Sequence, residues 1–149
     1  WKLYKEGLEE GGYSEEIQNQ LLGKNALWRN VYVADSNSQA EDELNKMLIK
    51  TRQHMMKIRE ELNPEDFIIN PETLNAWTDP SVSHEEGAAM AIKTGSIFGS
   101  SKKVKEQVAE LHDAGVRHLL CQTGFGSMSN ELNLASMRRF GEQVMPHFM

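Results

Sequence analysis

Apolar positions along the chain change their spacing several times, and each change marks an element. Ala40, Leu44, Met47, Leu48, Thr51, Met55, Ile58 and Leu62 recur at threes and fours up to Pro64, which draws one apolar stripe on an otherwise charged helix. Ser38 and Glu41 stand at capping-box spacing ahead of it, so a long helix is predicted over 38–62. Just before, Asn30-Val-Tyr-Val-Ala34 crowds β-branched and aromatic residues into a strand-like run that stops at the polar Asp35-Ser-Asn-Ser38. A second strand, expected to be buried, is predicted from Val116 to Cys121, between Gly115 and a loop bearing Gly124 and Gly126.

Shorter elements fill the remainder. Trp1 to Glu10 and Ser14 to Leu22 read as two brief helices parted by Gly11-Gly12, the second opened by Ser14 with Glu15 and Glu16. From Asn63 to about Gly95 three prolines break the pattern, leaving turns of helix at Pro71 to Trp77 and His84 to Lys93. Ser96-Ile-Phe-Gly-Ser-Ser101 leads into a helix with Val104, Val108 and Leu111 on one face. The last helix is predicted from Ser129 to Val144, with Leu134, Met137, Phe140 and Val144 as its apolar face, ending before Pro146.

The sum is one α/β, helix-rich segment over 1–149, in which the two strands are parallel because a long helical connection separates them. In parallel α/β architectures, ligands gather on the loops at the carboxyl ends of strands, which singles out Gln122, Thr123, Gly124 and Phe125. The Gly124-x-Gly126 loop can bring backbone N–H groups to a phosphate or carbonyl. It also reads as a plain tight turn, because the third glycine of the dinucleotide fingerprint and the Gly-Lys-Ser/Thr of a P-loop are missing. Gln122 and Thr123 read equally as ligand donors and as groups that satisfy the loop.

Composition narrows the partners. A net charge of −6, with no basic cluster beyond Lys102-Lys103-x-Lys105, argues against nucleic acid. A single cysteine, Cys121, reads as a buried thiol in a reducing cytosol. No run reaches membrane-spanning length, so a cytoplasmic chain with no membrane partner is expected. The start on Trp1, within a helical pattern and without methionine, is the start expected of a piece of a longer protein.

Other reactive types read as structural. Asp35 is favoured as a helix cap, His54, His84, His112, His118 and His147 lack metal-motif spacing, and Ala88 stands where His84-Glu85-Glu86 would need a second histidine. Met47, Met55 and Met137 fall at core positions.

Several segments, taken in order, resemble the C-terminal part of the luciferase-like, flavin-dependent monooxygenases. They are Trp1-x-x-Tyr4-x-Glu6-Gly7, Arg29-Asn-Val-Tyr-Val-Ala-Asp35, Ser96-Ile-Phe-Gly99 with Val104, Gly115 to Leu120, Thr123-Gly-Phe-Gly126, Ser136-Met137-x-x-Phe140, and Val144-Met-Pro-His-Phe148. Ser101 stands near where that family usually has proline. The resemblance implies the end of a TIM (β/α)8 barrel, its last two strands with their helices. It also implies reduced FMN or a deazaflavin as cofactor, O2 and a small aldehyde, ketone or hydrocarbon as substrates, and a flavin reductase as a possible partner. The family's catalytic residues come from earlier strands, so none is carried over and the 122–125 loop is the one expected flavin contact. Two strands cannot close a barrel, so the rest of the barrel or a homo-oligomer is expected to cover them. The competing expectation is a free-standing, non-catalytic α/β binding or assembly module.

Overall fold

The computed structural model describes residues 2–62 and 75–148. Helices α1 (Lys2–Glu10) and α2 (Glu15–Lys24) precede strand β1 (Ala26–Ala34) and the long α3 (Asn37–Leu62). There follow α4 (His84–Gly95), β2 (Ser96–Ser100), α5 (Ser101–Asp113), β3 (His118–Gln122) and α6 (Asn130–Arg139). A π-helical turn over Phe140–Val144 and a 3-10 turn over Met145–His147 follow α6. The Pro71 to Trp77 turn of helix falls largely outside the described residues, and Asn75 to Thr78 form a hydrogen-bonded turn.

The fold is a helix-rich α/β arrangement around a small parallel sheet of three strands in the order β2-β1-β3. The sequence predicted two strands. The third, β2, arises from the stretch expected only to lead into a helix, and it pairs Ser96–Ser100 with Asn30–Ala34 in register. The expected parallel pairing of the other two is present, one step lower: His118–Gln122 lie beside Ala26–Asn30, and β1 starts at Ala26 instead of Asn30. In a (β/α)8 barrel consecutive strands are neighbours. Here β3 sits across β1 from β2, and helices pack on both faces of the sheet.

Alternation along β1 divides the core in two. Tyr32 and Ala34 join Phe98 on the face covered by α3 and α4, meeting Leu44, Met47, Leu48, Ala88, Ile92 and Phe125. Val31, Val33 and Ile97 face Val104 of α5 and Val144 of the π turn. Beyond the end of β3, the edge of β1 away from β2 has no strand beside it among the described residues, and α6 lies there instead. Ser136, 1% exposed, accepts the Val33 N–H on its Oγ at 2.9 Å, so the buried donor keeps a partner.

Several expectations are corrected. Ser36, not Ser38, caps α3: its Oγ accepts the Gln39 N–H at 3.1 Å. The α3 stripe holds for Leu44, Met47 and Leu48, then shifts by one residue, so that Met56 is buried while Met55 is half-buried and Ile58 exposed. A 3.6-residue turn drifts against a strict three-four pattern over so long a helix, and the burial follows the neighbours. Leu134 and Met137 are exposed, because α6 packs through Ser136 and the π turn re-aims Val144 inward. The strand predicted to be buried, β3, is mostly exposed, being an edge strand five residues long. Cys121 is accordingly exposed and not a core thiol.

Candidate functional site

A cavity of about 780 Å³ opens on the α3 side of the sheet, below the covered core. Its position follows from the stagger of the strands. Trp28 and Asn30 lie four and two residues before Tyr32 and so share its face, but α3 and α4 cover only the upper part of that face. Trp28 and its register partner Leu120 are therefore left 53% and 55% exposed. The cavity walls include Leu48, Thr51 and Met55 from α3, Met90 and Thr94 from α4, Trp77 from the 75–78 turn, Gln122 at the end of β3, and Phe125 and Gly126 after it. None of these lining side chains is charged.

The four loop residues expected at a site divide. Gln122 and Phe125 line the cavity, with Phe125 buried against α3 at 4% exposure. Thr123 and Gly124 do not; the Gly124 carbonyl accepts from Gln122 Nε2 at 3.2 Å, which ties the loop to itself. Gly126 has φ +22° and presses on the Thr51 side chain, so a Cβ there would collide with it. This close approach is what brings the loop against α3. The loop forms one wall of the cavity.

Sequence reasoning missed Arg52, which is completely buried on α3 beside the cavity. Its Nε donates to the Trp77 carbonyl (3.0 Å), its Nη2 to those of Asp79 (2.5 Å) and Ala76 (3.3 Å), and its Nη1 meets His84 Nδ1 at 3.0 Å. The Asp79 carboxylate turns to Ser81 instead, accepting from its N–H (2.8 Å) and hydroxyl (2.6 Å). Those bonds hold its pKa below the ordinary range, with the Arg52 charge a smaller contribution. Gly87 of α4 lies so close that a Cβ there would come within 2.5 Å of Arg52 Nε and 2.7 Å of the Ala76 carbonyl.

A polar cluster closes the carboxyl end of β1. Asp35 does not cap α3 but pairs with Arg139 of α6, accepting from Nε at 2.9 Å and Nη2 at 2.7 Å. Tyr32 donates to Glu43 at 2.6 Å, and burial first, then this bond, push its phenol well above the usual tyrosine range. The rest of the chemistry is structural. His118 Nε2 donates to the Gly23 carbonyl at 2.9 Å. The Cys121 thiol, although exposed, is pushed up by desolvation, which keeps it protonated and a poor nucleophile at neutral pH. Among the described residues no group of His, Cys, Asp and Glu is placed to hold a metal, and no helix is long and apolar enough to cross a membrane. Comparison with protein-family models and with curated protein sequences yields no match to this chain.

Proposed function

We propose that the chain is the C-terminal part of a luciferase-like, flavin-dependent monooxygenase, and that its cavity contributes to the pocket where reduced FMN and O2 oxygenate a small organic substrate. The observation that carries the reading is the cavity itself. It adjoins the carboxyl end of β3, where ligands gather in parallel α/β folds, as well as the amino-terminal half of β1, and two of the four residues singled out at that end of β3, Gln122 and Phe125, line it. Reduced flavin supplies the electrons that split O2 between substrate and water. The lining suits the flat ring or the organic substrate, through Trp28, Trp77 and Phe125 with Asn30 and Gln122 at the polar margin. Among the described residues it offers no charged side chain for a flavin phosphate, which in this reading is held by residues of other barrel strands. Completing a (β/α)8 barrel would also require β3 to pair beside β2, as consecutive barrel strands do.

The test is flavin fluorescence titration of the 149-residue chain beside its full-length parent. The chain alone should bind FMN weakly or not at all, because it supplies a minority of the contacts of a preorganised site, whereas the parent should bind it and consume O2 with an aldehyde or ketone. Stoichiometric binding by the isolated chain at micromolar flavin would sink the fragment reading. A second reading, a free-standing binding module, draws on the helices that pack on both sheet faces; it predicts a folded monomer that binds a neutral ligand and never consumes O2.

A further inference from the structure

The least economical feature of the molecule is a guanidinium with no exposed surface that, among the described residues, is salt-bridged to no carboxylate and bonds to carbonyls and a histidine instead. Burying an arginine is costly, and an apolar side chain of the same volume is often as stabilising or more so. What an apolar side chain could not do is hold a turn by its backbone. Arg52 reaches three carbonyls in one four-residue stretch, Ala76, Trp77 and Asp79, and the first turn of α4 at His84. The rigid fork of donors matches that spread, and a lysine could not reproduce it. Because the bonds go to main-chain oxygens, they fix where the Trp77 ring enters the cavity whatever that ring touches. Thr51 and Met55, one residue before and three after Arg52, line the same cavity, so helix and turn are locked to each other across it.

We infer that Arg52 is a positioning residue that sets the Trp77 wall of the cavity, and that the cavity so completed takes an uncharged, largely apolar organic molecule. The inference deepens the reading above on its substrate side. The ligand class follows from the lining by the described residues: aromatic and thioether surface, no charged side chain among them, and the amides of Asn30, Asn75 and Gln122 to meet one or two polar groups. A charged group would be stripped of water there with no opposite charge among the described lining side chains, and the hydrogen bonds of the buried Arg52 beside it already go to carbonyls and His84.

The experiment uses the whole chain and the neutral fluorophore phenylnaphthylamine, with tryptophan emission read in parallel. The wild-type protein should bind the fluorophore saturably, and an anionic sulfonated analogue at least tenfold more weakly. Arg52→Ala should weaken binding tenfold or more and shift tryptophan emission to the red. Arg52→Lys should not recover it, while millimolar guanidinium added to Arg52→Ala should, a rescue that a generally loosened core would not show. Trp77→Ala keeps the carbonyl that Arg52 holds and should lose binding to a similar degree, so it decides the matter if the Arg52 variants fail to fold. Wild-type binding by a folded Arg52→Ala or Trp77→Ala protein, no rescue by guanidinium, or no saturable binding by the wild-type chain would overturn the inference. No flavin is present in these titrations, so their failure is separable from that of the monooxygenase reading, which the flavin and O2 measurements decide.

Discussion

Replacing Ser136 by alanine removes one hydroxyl and isolates one amide. The Val33 N–H lies in a strand residue with no exposed surface, and Ser136 Oγ at 2.9 Å is the group that receives it where β3 has already ended. Losing a hydrogen bond of this kind costs about 0.5–1.5 kcal/mol when both partners can reach water, and about 1–3 kcal/mol when the remaining donor stays buried, as it does here. Alanine returns part of this, because it is the better helix former by up to about 0.7 kcal/mol on α6. The net expectation is a destabilisation of about 0.3–3 kcal/mol. For a chain of this length that corresponds to a fall in Tm of about 1–12 °C. Urea denaturation at constant m-value, with amide exchange at Val33 followed in the same samples, measures it. A variant within about 0.3 kcal/mol of the parent, with Val33 exchange unchanged, would refute the claim that α6 substitutes for a missing strand.

Leu48→Ala, at a residue 4% exposed between α3 and the sheet, should cost about 2–5 kcal/mol by chemical denaturation, whereas Leu134→Ala, at 61% exposure, should fall within about 0.5 kcal/mol of the parent. The raised Tyr32 phenol makes a pH prediction. The unfolded tyrosine loses its proton near its ordinary value of 10.0 while the folded one keeps it, so the contribution is intact below that pH and is lost as pH climbs above it. Thermal melts of parent and Tyr32→Phe should diverge between neutral pH and pH about 11, with the parent falling more steeply; parallel curves would show that the phenol is not protected by folding.

The sequence announces what rests on local rules and misses what rests on neighbours. Ser14 caps α2 and Ser129 caps α6 as their positions suggest, and the His84–Gly95 helix emerges from its alanines. The strand Ser96–Ser100 was not legible, since Ile97 and Phe98 are its only large apolar residues and Gly99 interrupts them; pairing with Asn30–Ala34 makes it a strand. Arg52 sits in Lys50-Thr-Arg-Gln-His54, a run that reads as a solvated helix face, and nothing local marks a charge that will be buried by a turn 24 to 27 residues later. At the candidate site, the loop after β3 was legible from its glycines. Trp28, Trp77 and Met90 were not, because the cavity exists only where α3 and α4 stop covering β1.

The stagger of the sheet has a mechanical consequence. Asn30 is the one residue of β1 in register with both neighbours, Ser96 on one side and Gln122 on the other. The sheet is thus two short ladders spliced end to end through a single peptide, with the upper ladder clamped between two cores and the lower one wetted along Trp28 and Leu120. Tension on β3 loads only the lower splice, and cooperative units of a fold yield where buried contacts are fewest. The half of the sheet beneath the cavity is therefore the half that can part and re-form while Val31 to Ala34 stay paired, so that the molecule has a compliant end built onto a stiff one.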